Sequence, residues 1–181
     1  MKEPSQDVIE RARAVRCVLL DVDGVLTDGR VVLDARGREA RVFHADDRTG
    51  IGLLIRAGIP VVALAARHPK AAPAYARHLR ITAVLQGAGD GLASVRRFCR
   101  RRRLELEAVA YVGHDVLDQP LLAAAGLAIT VADGADHAQR DSHWVTTRPG
   151  GGGVAREVAE RILRAQGKWA STIGETWRHW E

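Results

Sequence analysis

Residues 17–29 read CVLLDVDGVLTDG: an apolar run, two aspartates separated by one residue, and a glycine directly behind the second. A short apolar run bounded by turn residues fits a strand buried on both faces. In an open parallel sheet, ligands sit beyond the carboxyl ends of the strands. Asp21 and Asp23 therefore emerge where chemistry is expected, and Gly24 can adopt the tight conformation that turns the chain away.

Further runs of the same kind follow: IPVVALAA (59–66), AVLQ (83–86), AVAYVG (108–113) and LAITVA (127–132). Helical patterns at 48–57, 69–79, 89–103 and 117–125 separate them, which predicts an α/β fold with a parallel central sheet and right-handed crossovers. The first connection differs. GRVVLDARGREARVF (29–43) has two β-rich arms around Ala35-Arg36-Gly37 and predicts a small β-hairpin flap. Near the end, RPGGGGVAREVAERILRAQ (148–166) runs from a glycine loop into a helix with Val154, Val158, Ile162 and Leu163 at helical spacing. The tail, about 167–181, holds three of the four tryptophans outside any obvious core element, and docking on a neighbouring subunit is expected of it.

The length of 181 residues predicts a single domain. Two cysteines, Cys17 and Cys99, are too few for a disulfide framework, the charged N-terminus is unlike a signal peptide, and no apolar stretch approaches the roughly 18 residues of a membrane span. A cytoplasmic protein is expected. The formal charge of +5 suits an anionic ligand. Arg96, Arg97, Arg100, Arg101 and Arg103 read as the solvated face of an amphipathic helix rather than a nucleic-acid site, because no interleaved aromatics accompany them.

With these motifs in view, the chain resembles the haloacid dehalogenase-like (HAD) superfamily and, more narrowly, its 3-deoxy-D-manno-octulosonate 8-phosphate phosphatase family. DVDGVLTDG, FHADDRTGIGLLIRAGIPVVAL, the LQG of 85–87, AYVGHDVLDQPLL, GLAITVADG and GGGGVAREVAERILRAQGKW carry the resemblance over about residues 15–169. It implies a Rossmann-like HAD core with a hairpin flap and no large cap domain, a homotetramer, and a hydrolase of the phosphomonoesterase type. It also implies roles: Asp21 as nucleophile, Asp23 as acid and base, and Mg²⁺ bound by the Asp21 side chain, the Asp23 carbonyl and an acidic residue of GHDVLD.

The chemistry of the pair is coherent, since a carboxylate accepts a phosphoryl group when a cation holds the two anions together and a second acid moves the proton. Three positions depart from the family pattern. Ala65 stands where the family has a Thr or Ser hydroxyl, Gly91 where it has a lysine, and His114 where an aspartate binds Mg²⁺. Histidine suits Zn²⁺, Fe²⁺ or Mn²⁺ better than Mg²⁺, so the candidate metal residues are Asp21, Asp23, His114 and Asp115, with Mg²⁺, another divalent metal or none as the outcome. His114 alternatively fills a vacated position or acts directly on an anion or proton.

Gly24, Arg48, Arg67 and Gly151 are candidate substrate-binding residues, the last from a glycine run before a helix N-terminus. In the stretch around Arg48, Asp46 replaces an arginine of the family pattern, and Asp46-Asp47 equally suits a helix start. His44, His68, His78, His137, His143 and His179 are read as structural. Three functions stay open: a HAD-type hydrolase of a small sugar acid phosphate with weak or altered phosphatase activity, a catalytically degenerate binding or scaffold homologue, and a HAD scaffold using Asp21 and Asp23 for non-phosphate chemistry in a biosynthetic pathway. No nucleic acid or membrane partner is expected.

Overall fold

The computed structural model describes residues 5–65, 72–86 and 91–177. In chain order its strands are β1 (Cys17–Asp21), β2 (Val32–Leu33), β3 (Glu39–Ala40), β4 (Val61–Ala65), β5 (Ala83–Gln86), β6 (Val109–Gly113), β7 (Leu127–Thr130) and β8 (Trp144–Val145). The helices are α1 (Gln6–Ala14), α2 (Ala45–Arg56), α3 (Ala72–Leu79), α4 (Gly91–Arg102), α5 (Gln119–Ala124), α6 (Asp136–Asp141), α7 (Val154–Ala165) and α8 (Trp169–Trp177). Six strands form one parallel sheet in the order β5-β4-β1-β6-β7-β8, while β2 and β3 pair antiparallel as a separate hairpin. The chain moves outward from β1 to β4 and β5, then returns to β6 on the other side of β1. That reversal opens a crevice at the carboxyl end of β1.

The strands are apolar throughout because both faces are covered. Val18 and Leu20 of β1 face a core shared with α1, α2 and α7, whereas Cys17 and Leu19 face a second core with α4 and α5. This is the period-two alternation of a pleated strand, with each face meeting its own helical layer. α4 buries Val95, Phe98 and Cys99 and leaves Arg96, Arg97, Arg100, Arg101 and Arg102 exposed, with Arg103 exposed just beyond its end, as expected of an amphipathic helix in a protein layer.

The hairpin falls where the sequence predicts it. Asp34 organises its turn by accepting from the amides of Arg36 and Arg38, and Gly37 takes a left-handed φ of 71°. Val31, Val32, Leu33 and Val42 are exposed along it. Two expectations change. β8 was not foreseen, because two residues of edge strand carry too little pattern to register in a sequence. The tail also begins differently: Trp169 packs against the core of its own chain, with the guanidinium groups of Arg156 and Arg164 5.4 and 4.9 Å from its ring centroid. Helix α8 is too short an apolar pattern to see in sequence, and arginine stacking on an indole face supplies the attachment. The side chain of Trp177 and all of Trp180 lie outside the described residues. Among those residues, no helix is long and apolar enough to cross a membrane.

Candidate active site

Asp21 ends β1, and its carboxylate accepts the amide of Val22 at 2.8 Å, so the strand stops on its own side chain. Val22–Leu26 then make a wide turn, closed by the amide and hydroxyl of Thr27, which both donate to the Val22 carbonyl at 3.0 and 3.2 Å. Gly24 holds a φ of 87° in this turn, a conformation that a side chain would strain. Asp23 thereby swings out beside Asp21, and its Oδ1 receives the Nε of Arg41 at 2.7 Å.

The opposite wall comes from the end of β6. Gly113, His114 and Asp115 lead into a single turn over Val116–Asp118. Asp118 is buried and accepts from the Tyr111 hydroxyl and from the amides of His114 and Asp115 at 2.7 and 3.0 Å. His114 Nδ1 lies 3.2 Å from Asp21 Oδ2 and 3.5 Å from Asp118 Oδ2, aligned for a hydrogen bond with neither. Burial pushes the Asp21 carboxyl up to about 6, with His114 opposing the shift. Burial acts in the same direction on Asp118, but the nearby His114 imidazole and the hydrogen bonds from Tyr111 and the amides outweigh it and hold this carboxyl below its ordinary range. The two carboxylates raise the His114 imidazole to about 10 against the opposing effect of burial.

One ligand atom each from Asp21, His114 and Asp118 lie within 4.8 Å of one another, so the cluster can hold a metal ion. The buried Nδ1 is the telling atom, since it converges on two carboxylates at ion-pair distance with no aligned hydrogen bond among the described residues. Tetrahedral sites with bonds of about 2.0–2.1 Å have ligand-to-ligand edges of roughly 3.3 Å, and the 3.2 and 3.5 Å separations bracket that value. The residues therefore fit a divalent cation, and the nitrogen donor favours a borderline metal over Mg²⁺. Asp115 is placed differently from expectation. Its carboxylate caps the following turn through Val116 N at 2.6 Å, and Asp118 stands next to Asp21 instead, because a three-residue spacing around this turn points Asp118 inward.

The other sequence candidates distribute unevenly. Gly151 packs on the first turn, its amide donating to the Val25 carbonyl at 2.9 Å, while a Cβ on Gly150 would come within 2.2 Å of the Gly24 carbonyl oxygen. The glycine run thus lets two loops meet backbone to backbone. Arg48 is exposed on the first turn of α2, and none of the hydrogen bonds or ion pairs described around Asp21 and Asp23 reaches it. Arg67 lies outside the described residues. Asp47 is fully buried and accepts the amide of Ala155 at 2.8 Å, at the start of α7. Asp46 pairs with Arg148 at 2.7 Å. The Asp46-Asp47 pair is therefore used at a helix start, but of α7 as well as of its own helix. His44 and His143 accept backbone amides through Nδ1, in keeping with structural roles. Sequence reading missed Arg41 and Tyr75; no motif marks them, and only the fold brings them near Asp23.

No model of a protein family matches the chain. The chain is 36% identical over 170 residues to the 3-deoxy-D-manno-octulosonate 8-phosphate phosphatase KdsC of Yersinia pestis, covering 94% of this chain and 91% of that protein. It belongs to the 3-deoxy-D-manno-octulosonate 8-phosphate phosphatase family. Solved structures of this HAD family agree. The phosphatase of Moraxella catarrhalis, in complex with magnesium ion, phosphate ion and a KDO molecule, superposes with a TM-score of 0.90 at 30% identity, covering 95% of this chain and 99% of that one. The cobalt-bound phosphatase of Haemophilus influenzae gives a TM-score of 0.84 at 32% identity, covering 90% and 98%. Membership places the chain among phosphomonoesterase-type hydrolases of the HAD superfamily, whose members include magnesium- and cobalt-bound forms.

Proposed function

We propose that the chain is a metal-assisted phosphomonoesterase acting on a small sugar-acid phosphate of the 3-deoxy-D-manno-octulosonate 8-phosphate kind. The observation that carries this reading is the pair at the end of β1: Asp21 buried against His114, with Asp23 turned out two residues later on a left-handed glycine. Asp21 Oδ attacks phosphorus as the ester P–O bond breaks, and Asp23 donates its proton to the leaving oxygen. Asp23 then takes a proton from water, whose oxygen attacks the aspartyl-phosphate, freeing phosphate and Asp21. Asp21, His114 and Asp118 would hold the cation, which when bound offsets the negative charge of the nucleophile and the phosphate. The nitrogen of His114 moves the metal preference toward Zn²⁺, Co²⁺ or Mn²⁺.

Turnover of ordinary sugar phosphates is inferred to be weak. Ala65 is buried at the end of β4 and has no donor. A Cβ on Gly91 would face Leu64 Cδ2 at 3.5 Å and Leu121 Cδ1 at 3.6 Å, an apolar surrounding. Loss of one preorganised donor costs about 10²- to 10³-fold in rate, and such losses do not multiply fully when groups act as a unit. Self-assembly as a homotetramer is supported by the exposed apolar side chains of Val31, Val32, Leu33 and Val42 on the hairpin; a monomeric mass in light scattering would remove it. The decisive experiment is turnover of a sugar-phosphate panel by metal-defined protein, with Asp21→Asn as control. Phosphate release abolished by Asp21→Asn supports the reading, and the absence of any release that depends on Asp21 overturns it.

A further inference from the structure

A phosphate brought to Asp21 and Asp23 adds anionic charge to two carboxylates, and neither Ala65 at the end of β4 nor Gly91 at the start of α4 carries a side-chain donor. An anion in a protein site needs donors placed in advance, and the hairpin side has them. Arg41 follows β3, and its side chain is only 9% exposed. Its Nε pairs with Asp23 Oδ1 at 2.7 Å and its Nη1 with Glu39 Oε2 at 3.0 Å. A guanidinium carries five N–H donors in a fixed fork, so these two pairings do not exhaust it.

Facing it from α3 is Tyr75, 8% exposed, with its ring 5.6 Å from that of Phe43. Its hydroxyl is buried and has no hydrogen-bond partner among the described residues. A buried polar group in that state carries an uncompensated desolvation cost until something pairs with it. Arg41, Phe43 and Tyr75 line one cavity of about 270 Å³. We propose that Arg41 and Tyr75 hold the substrate's phosphate from the hairpin side, supplying donors that Ala65 and Gly91 do not carry.

This rests on the phosphatase reading and adds to it the residues that bind the anion. Arg41 keeps Asp23 in place through Nε while its free N–H groups turn to the phosphate, a pairing that suits the planar fork. Tyr75 adds a neutral donor. Burial pushes its hydroxyl up to about 12, with Asp23 adding to the shift and Arg41 opposing it, so the proton stays on at neutral pH.

The test is calorimetric titration of the full chain with inorganic phosphate, which reads binding apart from turnover. Arg41→Gln is expected to weaken phosphate binding by about tenfold or more, as for loss of a charge-assisted pair, and Arg41→Lys to recover part of it. Tyr75→Phe is expected to weaken binding several-fold while leaving the melting temperature unchanged or higher, because the hydroxyl has no partner to lose. Phosphate affinity unchanged in Arg41→Gln and Tyr75→Phe overturns the proposal and leaves the phosphatase reading standing on the Asp21→Asn control. A lower melting temperature in Tyr75→Phe with unchanged affinity assigns the hydroxyl to folding and overturns it too. A wild-type chain that releases phosphate from esters yet binds none at millimolar concentration also overturns it.

Discussion

The imidazole of His114 lies directly over Gly24: a Cβ at that glycine would stand 2.2 Å from His114 Cδ2 and 2.4 Å from Nε2. The first turn and the GHDVLD segment are thus packed in van der Waals contact. Gly24→Ala would add both a steric conflict and a left-handed φ for a residue with a side chain. The expected outcome is a loss of about 1–3 kcal/mol in stability, together with displacement of His114 from Asp21. Thermal unfolding and metal titration read the two effects separately, and a variant as stable as wild type with unchanged metal binding would contradict the contact.

His114 brings the one nitrogen donor to the cluster that it forms with Asp21 and Asp118, so on the metal-assisted reading His114→Asp should shift preference toward Mg²⁺. Metal content after equilibration with mixed cations, together with the visible spectrum of the Co²⁺ form, measures this without any turnover. Identical selectivity in the two proteins would show that the imidazole is not a ligand.

Asp47 predicts a pH effect on stability away from the cluster. Burial raises its pKa to about 6 from an ordinary 3.8, and its Oδ2 has no hydrogen-bond partner among the described residues. The folded chain therefore holds this proton more tightly than the unfolded chain. Stability from this group is greatest below about pH 4 and falls as pH rises to about 6. Asp47→Asn keeps an acceptor for Ala155 N and removes the buried charge, so the variant should be more stable than wild type at pH 7 by about 1–3 kcal/mol. The advantage should vanish near pH 4. Denaturant unfolding across pH 4–8 checks it, and parallel curves for the two proteins would refute it.

Glu157 of α7 is buried and accepts the amide of Thr147 at 2.9 Å and that of Arg148 at 3.1 Å. These bonds anchor the segment that leads into the glycine loop against Gly24. Glu157→Ala leaves both amides unpaired, at a cost of about 1–3 kcal/mol for each buried group left without a partner. Glu157→Gln retains one acceptor and should lose less. Equal stability of wild type and Glu157→Ala in urea would rule out the anchoring role.

Much of the fold was legible because its signals are local. Apolar runs after turn residues marked β1, β4, β5, β6 and β7, the Ala35-Arg36-Gly37 turn marked the hairpin, and Asp21 and Asp23 were visible as a pair at a strand end. β8 and α8 were not, since two residues of edge strand and a short mixed helix have no periodicity strong enough to stand out. At the site, Asp115 and Asp118 could not be separated by spacing. The tight turn over Val116–Asp118 makes one a cap and buries the other beside Asp21.

The sequence by itself determined the sheet, the hairpin, the Asp21–Asp23 pair at a strand end and the family, because each rests on residues adjacent in the chain. Only the tertiary structure decided that His114 converges on Asp21 and Asp118, that Arg41 pairs with Asp23 across 18 residues, and that the buried Tyr75 hydroxyl has no partner among the described residues. Those relations arise where strand ends, hairpin and α3 meet. Packing of the two helical layers on the sheet sets their distances, and no local pattern encodes them.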